Sequence, residues 1–239
     1  MNLREKLKNT DVLILCGGKG TRLRSIVRNR PKAMVEFGRR PFLSILIEYL
    51  ASFGFRRFIL CTGYKAKFIE EYYNARPPHC EISYSNEKKP LGTAGAIKNA
   101  IPLIRSNPFL AINGDSFCRL NFLKFLDFHL KKKAMLSIAL VASSKDKNCG
   151  KVALDSKKRI ISFAEKKASS VKSLDSAGIY LIDKELFSFM NSKKAWSLEY
   201  DLFPSLKKKN CFGFKQNLDL IDFGTPSGYI RARKLFSKH

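Results

Sequence analysis

Apolar residues along this chain fall into two alternating rhythms. Short runs rich in branched residues, Val12-Leu13-Ile14-Leu15-Cys16, Phe58-Ile59-Leu60-Cys61 and Phe109-Leu110-Ala111-Ile112, stop at glycine or polar turns and read as buried strands. Glu81 to Ser85 reads as a weaker strand. Between these runs, Phe42, Ile45, Leu46, Tyr49, Leu50 and Phe53 repeat at helical spacing, with Pro41 suited to the first turn and Gly54 to the end. Phe68, Ile69, Tyr72 and Tyr73 mark another helix. A further one opens at Gly92, carries Ala94, Ile97, Ala100 and Ile101, and stops near Pro102. Strands alternating with helices at this spacing argue for an α/β domain with a mostly parallel sheet covered on both faces.

The pattern changes past Asn121. An amphipathic helix (Phe122, Phe125, Leu126, His129) precedes a strand from Met135 to Ala142, and then Gly150–Leu154 and Ile160–Glu165 read as a hairpin-like insertion. Ala177–Ile182 returns as an apolar strand. Helical patches at 185–190 and 198–206 lead to strands at Phe212–Lys215 and Leu218–Phe223, and Gly224-Thr225-Pro226 starts the last helix. Residues 1–10 are polar and read as a short helix or frayed lead. No repeat or low-complexity linker interrupts residues 1–239, so one catalytic domain is expected.

Composition adds two exclusions. No apolar run approaches the roughly 20 residues that a membrane-spanning helix needs, and no apolar segment of signal-peptide type follows Met1. The six cysteines (Cys16, Cys61, Cys80, Cys118, Cys149, Cys211) are scattered without metal-type spacing, which suits reduced thiols in a cytoplasmic protein. The unusual number is the net charge of +25, from 45 Lys and Arg against 20 Asp and Glu. The excess sits in short clusters such as Lys131-Lys132-Lys133 and Lys157-Lys158-Arg159, each beside an apolar element, and no nucleic-acid-binding motif accompanies it. Specific nucleic-acid binding is therefore not expected; a general attraction for anionic substrates is.

The candidate chemistry begins where the first strand ends. Gly17-Gly18-Lys19-Gly20-Thr21-Arg22-Leu23 demands a sharp turn or a close backbone approach, and exposed N–H groups in such a turn favour anions. Arg22 and Lys32 add positive charge to the same rim, so the stretch suits a polyphosphate. It is neither a Walker loop, which needs Gly-Lys-Ser/Thr, nor a dinucleotide fingerprint, which needs glycine where Leu23 stands.

Gly17-Gly18-x-Gly20-Thr21-Arg22-Leu23 with Pro31-Lys32 downstream resembles the signature of the sugar-1-phosphate nucleotidyltransferases. Arg24-Ser25-Ile26-Val27 and Pro90-Leu91-Gly92-Thr93 are most similar to the heptose-1-phosphate guanylyltransferase branch, and the likeness runs from about Asp11 to Arg233. The resemblance implies a Rossmann-like three-layer sandwich of glycosyltransferase-A type. It also implies an NTP-binding half at about 10–118 and a sugar-phosphate-binding half at about 119–239. The substrates implied are an NTP and a sugar 1-phosphate.

Asp115 follows a strand directly, where ligands sit in open α/β sheets, and Asp222 holds a similar position in Leu220-Ile221-Asp222. Such a pair beside a polyphosphate loop suits Mg²⁺, and both match the family's metal-binding aspartates. The resemblance further implies that Gly150, Glu165, Lys166 and Gly178 bind the sugar phosphate, with Ser176 and Ala33 standing where relatives often carry asparagine and proline. Leu15, Gly17, Gly18, Gly20, Thr21, Glu87, Leu91, Gly92 and Thr93 fall in its nucleotide-binding segments. Glu87 suits guanine's N–H edge and equally a ribose contact or a helix cap, so GTP is favoured over UTP, CTP and dTTP without excluding them.

The expected reaction is in-line attack of a sugar 1-phosphate oxygen on the α-phosphorus of the NTP. Arg22, Lys32 and Asp115 form its catalytic set. A non-catalytic nucleotide-sugar-binding relative is the alternative outside enzymes. His79 and His129 lack partners at ligand spacing, and the oligomeric state stays open, a homodimer included.

Overall fold

A computed structural model of the protein describes residues 2–23, 29–143, 150–165, 173–191, 195–206 and 209–236. Helix α1 (Leu3–Lys8) is followed by β1 (Val12–Leu15), the small strands β2 (Glu36–Phe37) and β3 (Arg40–Pro41), and α2 (Phe42–Ser52). Then come β4 (Arg57–Thr62), α3 (Ala66–Ala75), β5 (Glu81–Asn86), α4 (Gly92–Ala100), β6 (Phe109–Asn113) and β7 (Ser116–Cys118). Beyond these lie α5 (Phe122–Lys132), β8 (Leu136–Val141), the hairpin β9 (Gly150–Leu154) and β10 (Ile160–Glu165), and β11 (Leu174–Ile182). The chain closes with α6 (Phe203–Ser205), β12 (Cys211–Lys215), β13 (Leu220–Asp222) and α7 (Pro226–Phe236).

Nine strands form one mixed sheet, with β1 parallel to both β4 and β6 and β5 parallel to β4. Because side chains alternate along a strand, Val12 and Ile14 enter one hydrophobic cluster and Leu13 the other. The first cluster packs α2, α3, α5 and α7 against the sheet, and the second packs α4 and the segment around Trp196–Leu206 against the opposite face. A strand buried on both faces has no polar side to show, which is why β1 reads as an unbroken apolar run.

Two features of this topology position the site. The parallel strands β1, β4, β5 and β6 all end at the same edge, so Cys16–Gly18, Gly63, Glu87 and Asn113–Asp115 emerge together. Strand β11 then enters antiparallel beside β6, with Ile179 opposite Ile112, so its leading residues reach that edge too. The patches at 185–190 and 198–206 coil more irregularly than their spacing predicts: 3₁₀ turns over Lys184–Phe189, and a π-type turn over Leu198–Leu202 leading into α6. No helix among the described residues is long and apolar enough to cross a membrane.

Candidate active site

The glycine stretch folds as a loop over Lys32. Gly20 has φ +60°, and a Cβ there would sit 3.0 Å from Lys32 Cβ, so the loop lies directly on the lysine stem. Lys32 itself opens a 3₁₀ turn, Lys32–Met34, whose Ala33 and Met34 are buried and anchor it. Its ammonium donates to Asp115 Oδ2, with the two side chains only 13% and 28% exposed, and stands 5.5 Å from the Phe223 ring centroid.

Asp222 arrives from the far end of the chain through a ladder that the sequence pattern does not reveal. Residues after Asp115 form β7, which pairs antiparallel with β13 and sets Asp222 opposite Ser116. The Phe223 amide donates to the Asp115 carbonyl at 3.1 Å and seals the junction. A Cβ placed on Gly224 would lie 2.6 Å from Lys32 Nζ, 2.7 Å from Asp222 Oδ1 and 3.5 Å from Asp115 Oδ2, so all three groups border one small space. Burial pushes the Asp222 carboxyl above the usual carboxylate range, and the Asp115 charge adds to this. The Gly224 amide, Lys32 and Arg22 oppose it. Arg22, in an exposed 3₁₀ turn with Thr21, thus acts on the same space.

Among the described residues, no three His, Cys, Asp or Glu side chains gather as a metal cluster. Two carboxylates with oxygen donors only are nevertheless what a hard cation needs when substrate phosphates complete its shell. The residues therefore fit a divalent metal. Lys32 engages only the Oδ2 atom of Asp115, so the carboxylate keeps acceptor sites for a cation.

A cavity of about 780 Å³ opens beside this centre, bordered by Leu15, Gly17, Gly18, Glu87, Gly92, Thr93 and Asp115. A Cβ on Gly18 would meet nothing within 4 Å, so its backbone faces open space. Gly17 and Gly63 are pressed against Glu87, whose Oε1 would lie 2.9 and 2.8 Å from a Cβ on either. The other oxygen, Oε2, accepts from the Leu91 amide at 3.0 Å. Glu87 thus caps the turn before α4 and lines the cavity at once. Burial raises its carboxyl above the ordinary value, against the opposing Leu91 amide.

Cys16 and Cys61 line the same cavity, but burial pushes the Cys61 thiol up to about 12 and Cys16 well above its usual range, so neither offers a thiolate. Tyr64, Lys19, Lys88 and Lys89 also border the space. Sequence pattern passed over them because loop lysines and a post-strand tyrosine carry no periodic signal.

Three of the four residues expected on the sugar side, Gly150, Glu165 and Gly178, lie near the leading end of β11. Gly150 and Glu165 face each other across the β9–β10 hairpin, and a Cβ on Gly150 would lie 3.9 Å from that of Ser176. Gly178 has φ +68°, and its missing Cβ leaves room for the Asn113 amide. Lys166 lies outside the described residues. Thr21 and Leu91 do not border the large cavity; Leu91 instead shapes the turn that Glu87 caps. His129 is buried, with Nδ1 at 2.9 Å from Ser137 Oγ, and is a structural residue remote from this edge.

A glycine loop, a lysine and two carboxylates stand together at the carboxyl edge of a mixed sheet, and the chain belongs to the nucleotidyl transferase family, which it matches over residues 11–238. Within it, the chain is 35% identical to D-glycero-alpha-D-manno-heptose 1-phosphate guanylyltransferase of Aneurinibacillus thermoaerophilus, covering 94% of this chain and 97% of that protein. It is 34% identical to the Campylobacter jejuni enzyme of the same name, over 91% of this chain and 96% of the relative. HddC from Yersinia pseudotuberculosis, solved in complex with GMP-PN, superposes with a TM-score of 0.83 at 33% identity, covering 95% of this chain and 99% of that one.

Proposed function

We propose that the protein transfers GMP from GTP to a heptose 1-phosphate, giving a GDP-heptose and pyrophosphate. The observation that supports this most is the convergence of Lys32, Asp115 and Asp222 on one space beside a cavity edged by Glu87. Relatives at 35% and 34% identity, matched over nearly their whole length, bear names specifying this donor and acceptor. A carboxylate at Glu87 accepts from guanine's N–H edge, where uracil offers one donor between two carbonyls.

In this reading the triphosphate lies along Gly17–Thr21, with backbone amides and Arg22 on its oxygens. The sugar 1-phosphate lies against Gly150, Glu165, Lys166 and Gly178. One of its phosphate oxygens attacks the α-phosphorus in line as the bond to the β-phosphate bridging oxygen breaks. Pyrophosphate leaves with that bonding pair, and Lys32 and Arg22 balance its charge. Asp115 and Asp222 would hold a divalent metal, Mg²⁺ in this proposal, which would supply positive charge to the reacting phosphates. No side-chain nucleophile is needed, because the acceptor brings its own. Residues at about 10–118 serve the nucleotide and those at about 119–239 the sugar phosphate, with Asp222 crossing between them.

The test is pyrophosphate release from each of GTP, UTP, CTP and dTTP paired with heptose, mannose and glucose 1-phosphates in Mg²⁺. GTP with the heptose substrate is expected to give the highest kcat/KM. A preference for another base would overturn the Glu87 assignment, and release with no pair would overturn the function.

A further inference from the structure

The turn that edges the nucleotide cavity is held by a segment from the other half of the chain. The Trp196 carbonyl accepts from the Ala94 and Gly95 amides at 2.9 and 3.2 Å, and the Trp196 amide donates to the Leu91 carbonyl at 2.8 Å. Two of the first four donors of α4 are therefore occupied by protein, and Gly92 must be glycine: φ is +74° and a Cβ would fall 2.4 Å from the Trp196 oxygen. The Leu198 amide then donates to Thr93 Oγ1 at 2.8 Å.

Glu199 continues this contact across the sheet face. Its Oε2 accepts from Thr93 Oγ1 at 3.4 Å and Ser197 Oγ at 3.2 Å, and its Oε1 accepts from the Tyr180 hydroxyl at 3.0 Å. Tyr180 is fully buried, and burial followed by the Glu199 charge keeps its hydroxyl protonated far above the usual range. The same hydroxyl also bonds the Ser176 side chain, and Ser176 Oγ accepts from the Gly178 amide at 3.2 Å. A chain of hydrogen bonds thus runs from Thr93, on the nucleotide cavity, to Ser176 and Gly178, on the sugar side.

We infer that Glu199 is a positioning residue that couples the two substrates: filling the sugar-phosphate side fixes Tyr180 and Glu199, and through Thr93 the turn that receives the nucleotide. The inference rests on the substrate reading above. Its weakest link, Thr93 to Glu199, is the longest bond of the path and the one that can tighten. Coupling of this kind is reciprocal and typically worth about 5- to 150-fold in affinity.

The experiment measures binding of the α,β-methylene analogue of GTP, which cannot be cleaved at the reacting bond, with and without saturating heptose 1-phosphate in Mg²⁺. In the wild type the acceptor is expected to tighten nucleotide binding at least about fivefold. Tyr180→Phe, which deletes only the buried hydroxyl, is expected to keep the affinity for the analogue alone within about twofold and to lose the tightening. Glu199→Gln is expected to lose the tightening too, and if it fails to fold, Tyr180→Phe decides alone. Tightening that persists in Tyr180→Phe, its absence from the wild type, or equal weakening with and without acceptor would each overturn the inference. If the wild type releases pyrophosphate normally while this happens, only the coupling fails. If it releases none with any substrate pair, the substrate reading fails and the coupling with it.

Discussion

Burial and the neighbouring Asp115 charge both hold the Asp222 carboxyl above its ordinary range, so the folded protein keeps this group ionised at a cost. A carboxyl whose folded value is raised contributes stability below its unfolded value and loses it as pH rises through the folded one. At neutral pH, Asp222→Asn should therefore raise Tm in a thermal melt without metal, while lowering kcat/KM by about 10²–10³, as for loss of one transition-state charge partner. Mg²⁺ should stabilise the wild type and not the variant; a variant that melts lower and still responds to Mg²⁺ would refute the assignment. Glu87 shows the same direction of shift, so its accepting form is lost at a higher pH than for a free glutamate. The KM for GTP should rise as pH falls through that raised value, and this rise should vanish in Glu87→Gln.

Among the elements, β1 with its glycine loop and the junction of β7 with β13 matter most. The first was legible in the sequence because a strand buried on both faces writes an unbroken apolar run, and glycines mark where its loop must approach Lys32 and Glu87. The hairpin Gly150–Leu154 and Ile160–Glu165 was legible too, since two short apolar segments flank a local polar turn over residues 155–159. Strand β7 was not: Ser116-Phe117-Cys118 is too short for periodicity, and its partner β13 lies a hundred positions away in sequence. The clasp of Trp196 on α4 was also hidden, because backbone carbonyls leave no residue-type signature. That clasp makes Gly92→Ala an element-level test. Left-handed backbone plus overlap with the Trp196 oxygen should cost about 2 kcal/mol or more, lowering Tm by at least about 4 °C. A melt within a degree of wild type would show that the turn yields without the clasp.

The whole molecule carries a net charge of +25, and its proposed substrates are polyanions. Long-range attraction of this kind raises association rates and is screened over about 8 Å at physiological salt. Between ~0.05 and 0.3 M NaCl, kcat/KM for GTP should fall about threefold or more while kcat changes little. A flat kcat/KM would mean that the surface lysines play no part in capture. The central claim is narrower: Asp115, Asp222 and Lys32, brought together from distant parts of the chain, transfer GMP to a sugar 1-phosphate. It is tested most directly by pyrophosphate release from GTP and D-glycero-α-D-manno-heptose 1-phosphate, wild type against Asp115→Asn, with folding checked by circular dichroism. Release by the wild type and a drop of at least about 10²-fold in a folded variant is the expected result. Equal rates in the two proteins, or release from neither, would contradict it.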